Sequence, residues 1–290
     1  MRLAVPAVVL AVVAATALLS CGAGGGGPAA PAPPVLPVLF VHGSGLDSTS
    51  WAALGRHLRS LGWPQEYLAA VDLSPNDGAN EPAAREQLQP AAIRLLETAA
   101  ARARREGWDP PNKLAVVAHS MGAVSGRWLA SRLMPESVAV FVAIAGANHG
   151  SRALCGLSGV GNEELCAATS GEVPVFSGLN GTATAPRDPT PFGPGQDPPG
   201  RPHEPPTGAA CIAWFTIFID PDEWIVPADS ARLAGSGAEA ALTAPAEVQV
   251  VAPGEFRVTA AIRHDDLPSA PAVLSLVPTL LTAPIDCPAT

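Results

Sequence analysis

The stretch Leu114 to Gly122, which reads LAVVAHSMG, joins an apolar run to a short segment of small and polar residues. Its first four residues predict a buried strand, and residues 123–130 predict a helix. Ser120 therefore lies at a sharp turn between a strand and a helix. The backbone segments on either side of such a turn approach closely, so small residues are needed there, and Ala118 and Gly122 meet that need.

Strands and helices alternate through the rest of the chain. Apolar runs predict strands at 35–41, 67–73, 114–118, 138–145 and 211–219, with weaker candidates at 248–251 and 256–258. Apolar residues at helical spacing predict helices at 51–61, 81–106 and 270–281. This alternation is typical of an α/β fold, with a mostly parallel central sheet flanked by helices on both faces. A long insertion precedes the strand at 211–219, and its Pro-rich part at 185–207 disfavours regular structure.

The first 34 residues have the composition of an export signal and a tether. Residues 1–20 carry one charge, Arg2, followed by an apolar run, and this predicts a signal peptide. Residues 21–34 are almost entirely Gly, Ala and Pro, which predicts a flexible tether before a single domain at 35–290. The run Leu18-Leu19-Ser20-Cys21 resembles the lipobox of bacterial lipoproteins, which makes Cys21 a candidate lipidation site. We therefore expect an exported protein, either a cell-surface lipoprotein attached to the membrane through Cys21 or a secreted protein.

Net charge limits the classes of partner that the protein can bind, and cysteine content indicates the compartment in which it works. The net charge is −9 and Lys113 is the single lysine, so a nucleic-acid partner is not expected. An even number of cysteines remains besides Cys21, which in an exported chain predicts two disulfides. Three pairings are open, and we favour Cys155 with Cys166 and Cys211 with Cys287, because the first pair lies close together in the sequence. No metal site and no cofactor are predicted.

A serine at such a turn becomes a nucleophile only when a base removes its proton and a carboxylate orients that base. Ser120 is the candidate nucleophile, and His264, in the loop before the last helix, is the candidate base. Three carboxylates follow the strand at 211–219. Sequence does not resolve the geometry at the end of that strand, so the choice between Glu223 and Asp222 stays open. We rank Glu223 slightly above Asp222, and Asp220 third as a turn residue beside Pro221.

An oxyanion site needs two backbone N–H donors. One is expected from Met121, directly after the serine, at the start of the helix. The other is expected from Ser44, in the turn His42-Gly43-Ser44-Gly45 that follows the first strand.

Taken in order, these motifs resemble small secreted bacterial lipases and esterases of the α/β-hydrolase superfamily. The resemblance rests on Val41-His42-Gly43-Ser44, on Ala118-His119-Ser120-Met121-Gly122, on Trp224-Ile225-Val226 after an acid, and on His264. The segment Gly146-Ala147-Asn148-His149-Gly150-Ser151 also resembles lipases and polyhydroxyalkanoate depolymerases. His149 precedes the acid in the chain, so we interpret it as a loop-structuring residue. Ala118 departs from the usual first glycine of the elbow, as it does in some of these lipases.

The resemblance implies a serine hydrolase that cleaves carboxylic esters, most simply acyl lipids, through an acyl-enzyme. Ser120, His264 and either Glu223 or Asp222 would form the triad. A polyester depolymerase or a thioesterase would use the same residues and stays open. From another class, an inactive cell-surface binding protein on the same fold is a further alternative, although nothing would then require the serine, the base and the acid to stay in order.

Overall fold

The computed structural model describes residues 35–167, 174–182, 185–186, 212–233 and 244–283. The predicted signal peptide, the tether, Cys21, Cys211, Cys287 and nearly all of the Pro-rich segment 185–207 lie outside those residues. Within them, no helix combines the length and the apolar character that crossing a bilayer requires.

In the described part of the chain, nine strands form two sheets. They are β1 (Val38–Val41), β2 (Leu68–Val71), β3 (Leu114–His119), β4 (Val138–Ile144), β5 (Gly181–Thr182), β6 (Ala185–Pro186), β7 (Ala213–Ile219), β8 (Val248–Ala252) and β9 (Glu255–Val258). The main sheet has the order β2-β1-β3-β4-β7-β9-β8, and only β8 runs antiparallel to its neighbour. The prediction of a mostly parallel central sheet is therefore confirmed. The short strands β5 and β6 pair antiparallel with each other, apart from the main sheet.

The described helices connect these strands. They are α1 (Ala52–Ser60), α2 (Asn80–Pro82), α3 (Gln89–Glu106), α4 (Gly122–Trp128), α5 (Val160–Ala167), α6 (Pro174–Asn180) and α7 (Pro271–Leu281). A wider, π-helical turn at Ala83–Leu88 joins α2 to α3, so the predicted helix at 81–106 is one continuous helical segment. Helices α5 and α6 were not predicted, because neither short segment displays a clear apolar period.

Helices cover both faces of the sheet, and each face presents apolar side chains to them because successive strand residues point to opposite sides. Helices α1 and α7 pack with Phe40 and Val117 on one face, whereas α3 and α4 pack with Val41 and Val116 on the other. All four of these strand residues are at most 2% exposed, which explains why the strands read as unbroken apolar runs. The parallel strands β1, β3, β4 and β7 end at one edge, so the loops that follow them meet there.

Candidate active site

Ser120 occupies a strained turn at that edge. Its φ of 54° lies in the left-handed region, which costs free energy in a residue other than glycine. The turn is fixed on both sides, because Ser120 N donates to Ile144 O at 3.1 Å and Ser120 O accepts from Ala147 N at 3.1 Å. The side chain lies in a largely buried position, with 8% of the residue exposed. Strain of this kind persists only where surrounding packing imposes it, so the structure holds the hydroxyl in a defined place.

Small residues on each side of the turn allow the backbones to approach. A Cβ at Gly122 would lie 2.2 Å from His42 O, closer than atoms can pack, so only glycine fits between α4 and the end of β1. Ala118 takes the position where a glycine is usual. Its Cβ lies 3.3 Å from where a Cβ of Gly126 would be, so the absence of a side chain on α4 makes room for the extra methyl group.

The turn after β1 packs directly against the serine. A Cβ at Gly43 would lie 2.8 Å from Ser120 Cβ and 3.1 Å from His119 Nδ1. The fully buried His42 holds this turn: its Nε2 accepts from Leu73 N at 2.9 Å, and its Nδ1 lies 2.8 Å from Gly43 O. Because Nε2 accepts, the ring proton is on Nδ1 and is donated to Gly43 O.

The two predicted oxyanion donors flank this contact. Met121 is buried at the start of α4, and Ser44 follows Gly43. Within the described residues, no turn or loop hydrogen bond engages the N–H of either residue.

His264 and Asp222 form a buried pair beside the turn. His264 Nδ1 lies 2.9 Å from Asp222 Oδ2 and 3.0 Å from Oδ1, and both side chains are 1% exposed. The carboxylate is itself fixed, since Oδ1 also accepts from Trp224 N and Ile225 N, each at 2.8 Å. An ionised carboxylate only accepts, so the imidazole proton lies on Nδ1 and Nε2 is left as the acceptor. His264 Nε2 is buried and meets no hydrogen-bond partner among the described residues.

The carboxylate that faces the imidazole is Asp222, which reverses the predicted ranking. Glu223 instead contacts the backbone of the loop that carries His264. Its Oε1 accepts from His264 N at 3.0 Å and lies 3.7 Å from Arg263 Nε. Asp220, ranked third, is exposed and lies 3.8 Å from Arg257. Neighbouring residues in this loop point in different directions, and their side-chain directions depend on the turn that follows β7 rather than on residue type.

His119 packs behind the base. Its ring centroid lies 4.6 Å from that of His264, and its Nε2 lies 3.1 Å from His264 O. Complete burial and the neighbouring His264 ring hold the pKa of His119 well below its ordinary value, so the ring is neutral. A carbonyl oxygen only accepts, so the single proton is on Nε2 and is donated to His264 O.

The segment after β4 fastens the loop that carries Asp222. Ser151 Oγ donates to Trp224 O at 2.6 Å and accepts from Val226 N at 2.9 Å, while Arg152 N donates to Val226 O at 3.0 Å. Further bonds join Asn148 Nδ2 to Ala231 O and His149 Nδ1 to Ser230 O. The interpretation of His149 as a loop-structuring residue agrees with this position. The role of Ser151 in holding this loop was missed, because Trp224 and Val226 lie more than 70 residues away in the sequence.

A disulfide-closed segment lies over the elbow. Cys155 and Cys166 are paired, with a Cα–Cα distance of 4.8 Å. Near the start of α5, Gly161 N donates to Asp77 O at 2.8 Å, and a Cβ at Gly161 would lie 2.5 Å from Met121 Sδ. The predicted pairing of Cys155 with Cys166 thus closes a segment that packs on Met121, one of the two candidate oxyanion residues.

Buried hydrogen bonds tie α5 to the helix behind the serine. Asn80 donates from both N and Nδ2 to Glu164 Oε2, at 3.0 and 2.7 Å, and accepts from Ser125 Oγ at 2.9 Å. Ser125 lies on α4, so the disulfide-closed segment and the elbow are joined through one fully buried amide. As to metals, the part of the chain that the structure describes contains no group of three or more His, Cys, Asp or Glu placed to hold an ion.

Several solved structures are similar to this chain. A lipase from Bacillus licheniformis in its propeptide form aligns with 90% of this chain and 53% of its own, with a TM-score of 0.51 at 14% identity. A lipase B from Aspergillus fumigatus aligns over 87% of this chain and 54% of its own (TM-score 0.49, 16% identity), and a carboxylesterase from Bacillus subtilis over 84% and 82% (TM-score 0.44, 15% identity). The chain spans about half the length of the two lipases. At these identities the likeness concerns the fold alone.

The sequence was also compared with curated proteins and with profiles of protein families. No curated protein is similar enough in sequence to match this chain. A profile of the alpha/beta hydrolase family matches residues 38–286, which span all seven strands of the main sheet, the serine turn, Asp222 and His264. The chain therefore belongs to the alpha/beta hydrolase family.

Proposed function

We propose that this protein is a serine hydrolase that cleaves carboxylic esters through an acyl-enzyme. One observation carries the proposal: the buried imidazole of His264 donates to Asp222 from Nδ1 and keeps Nε2 unengaged, beside a serine held in a strained turn. A base needs this tautomer to accept a proton from a hydroxyl. Hydrogen bonds between base and nucleophile are often loose until substrate binds, so an unengaged Nε2 suits the free enzyme.

In the proposed reaction, Ser120 Oγ attacks the ester carbonyl while His264 Nε2 takes its proton. The N–H groups of Met121 and Ser44 stabilise the negative charge that develops on the carbonyl oxygen. Asp222 stabilises the imidazolium, which then protonates the leaving alcohol and leaves Ser120 acylated. Water, deprotonated by His264, cleaves the acyl-enzyme and releases the carboxylic acid.

A fluorophosphonate probe tests this proposal. We expect it to label the folded protein at Ser120 and to leave Ser120→Ala unlabelled. Ser125→Ala is the matched control, because Ser125 lies on α4 and its hydroxyl is bonded to Asn80 rather than exposed to a reagent. Failure of folded wild-type protein to react would refute the hydrolase proposal and favour the inactive binding protein.

Substrate preference separates the members of this reaction class. A panel of p-nitrophenyl esters of increasing acyl length, an acyl thioester and a polyester film distinguishes lipase or esterase from thioesterase and depolymerase. Strong preference for the thioester or the film would replace the ester proposal by the corresponding alternative.

We also propose that the protein is exported and anchored through a lipid on Cys21. The support is the N-terminal sequence, with one basic residue, an apolar run and the lipobox-like Leu18 to Cys21. Metabolic labelling with a fatty-acid analogue should mark the wild type but not Cys21→Ala. An unlabelled wild type would contradict the anchor, and its recovery in the medium would favour the secreted form.

A further inference from the structure

His264 lies in a loop, yet its imidazole must be aligned with two partners at once. It follows Arg263 in an extended conformation and begins the short helical turn His264–Ser269. Such a turn has few backbone hydrogen bonds of its own to fix its place. The contacts that hold His264 therefore decide where Nε2 lies relative to the serine.

The structure holds His264 at three points. Asp222 accepts from the ring, Glu223 Oε1 accepts from the backbone N–H at 3.0 Å, and His119 Nε2–H donates to the backbone carbonyl at 3.1 Å. Fixing both the N–H and the carbonyl of one residue fixes the direction of its Cα–Cβ bond, from which the ring projects. Two of the three contacts therefore act on the backbone, outside the predicted triad.

We propose that Glu223 and His119 are positioning residues that hold the backbone of His264 so that its imidazole meets both Asp222 and Ser120. This inference rests on the proposed function, since His264 matters in this way only as the base. The two neighbouring carboxylates divide their tasks: Asp222 binds the ring and Glu223 binds the main chain of the same histidine.

His119 also links the base to the nucleophile through the covalent chain. It directly precedes Ser120, so its backbone belongs to the elbow while its side chain donates a hydrogen bond to His264 O. Movement of the elbow would move the base with it, and the spacing between serine and imidazole would be kept. The buried, neutral ring donates without bringing a charge next to the imidazole.

Paired substitutions separate hydrogen bonding from bulk and charge. Glu223→Gln retains an oxygen that can accept from His264 N, whereas Glu223→Ala does not. His119→Gln retains an N–H near the position of Nε2, whereas the shorter His119→Asn cannot reach His264 O. Asp265→Ala is the control for charge, because Asp265 is an exposed neighbour of His264 whose side chain forms no hydrogen bond or ion pair with the described residues.

Steady-state kinetics on a short p-nitrophenyl ester is the first readout. We expect Glu223→Ala and His119→Asn to lower kcat by about tenfold or more, since small displacements of a catalytic group cost up to about a hundredfold, while KM stays within about twofold. Glu223→Gln and His119→Gln should recover most of kcat. Unchanged kcat in Glu223→Ala, or a glutamine variant as impaired as its partner, overturns the proposal.

Proton NMR is the second readout and does not depend on turnover. The Nδ1 proton shared with Asp222 should give a far-downfield resonance in the wild type, in Asp265→Ala and in both glutamine variants. We expect it to broaden or vanish in Glu223→Ala and in His119→Asn. Its persistence in both would overturn the proposal even if kcat falls. If the wild type fails to hydrolyse any ester, the proposed function is wrong. The same pattern of resonances would still show that Glu223 and His119 fix the backbone of His264.

Discussion

The two halves of the candidate site are built differently. The elbow half, at His42–Ser44 and Ala118–Gly122, is shaped by steric limits on the backbone: a left-handed serine and a glycine that a Cβ would drive into His42 O. The acid–base half, at Asp222–Val226 and His264, is held by hydrogen bonds from side chains on distant segments.

This difference affects how well each half can be predicted from the sequence, and whether a substitution there impairs folding or catalysis. A steric limit is local and requires particular small residues at fixed spacing, so substitution there should disturb folding. A hydrogen-bonded loop tolerates many sequences as long as donor and acceptor meet, so substitution there should disturb catalysis more than folding. The following changes test that contrast.

The largest effect is expected from Asp222→Asn. An amide in place of the carboxylate favours the wrong imidazole tautomer, and we expect kcat to fall by about 10³–10⁴-fold with little change in melting temperature. Asp220→Asn, in the same loop but facing Arg257, should stay near the wild type. A collapse of kcat in Glu223→Gln with an active Asp222→Asn would contradict the geometry.

Gly122→Ala should break the elbow half through folding. The added Cβ would lie 2.2 Å from a backbone oxygen that cannot move aside, so we expect a loss of about 3 kcal/mol in the free energy of unfolding. Gly55→Ala is the matched control, since a Cβ at that α1 position meets nothing within 4 Å and should stabilise the helix by about 1 kcal/mol. Denaturant unfolding measures both, and equal effects would refute the steric interpretation.

Ser151→Ala should loosen the acid loop. Its hydroxyl donates to Trp224 O and accepts from Val226 N and Ala153 N. Its removal leaves three backbone groups without this partner and should cost about 1–3 kcal/mol of stability. We also expect kcat to fall at constant KM, because Asp222 belongs to the loosened loop. The exposed Ser158→Ala is the control, and a drop in stability with kcat unchanged would separate the loop from catalysis.

The smallest effect concerns the pH dependence of stability. The pKa of His119 is held below its ordinary value of 6.5 by burial and by His264 and, to a lesser degree, His42. His119 therefore binds a proton in the unfolded chain at a pH at which it stays neutral in the folded chain. The free energy of unfolding falls as pH drops below 6.5, by at most about 1.4 kcal/mol per pH unit. In His119→Gln this part of the slope should disappear. Melting curves between pH 5 and pH 8 check it, and parallel curves for the two proteins would contradict it.

The fold could be predicted in most of its elements. All seven strands of the main sheet and helices α1, α3, α4 and α7 were anticipated within a few residues, because long apolar runs, helical spacing and the strand–turn–helix pattern around Ser120 are local signals. Helices α5 and α6 were missed because they are short and are stabilised by contacts to Asp77, Asn80 and Trp128 rather than by their own pattern.

The elbow could be predicted from the residues alone: a strand, a serine between Ala118 and Gly122, and a helix, since close backbone approach demands small residues at fixed spacing. Residue order also singled out His264 among the histidines. That Asp222 rather than Glu223 faces the ring, and that Gly126 makes room for Ala118, became visible in the folded protein alone. Those outcomes depend on side-chain directions and on contacts between segments far apart in the chain, which no local pattern encodes.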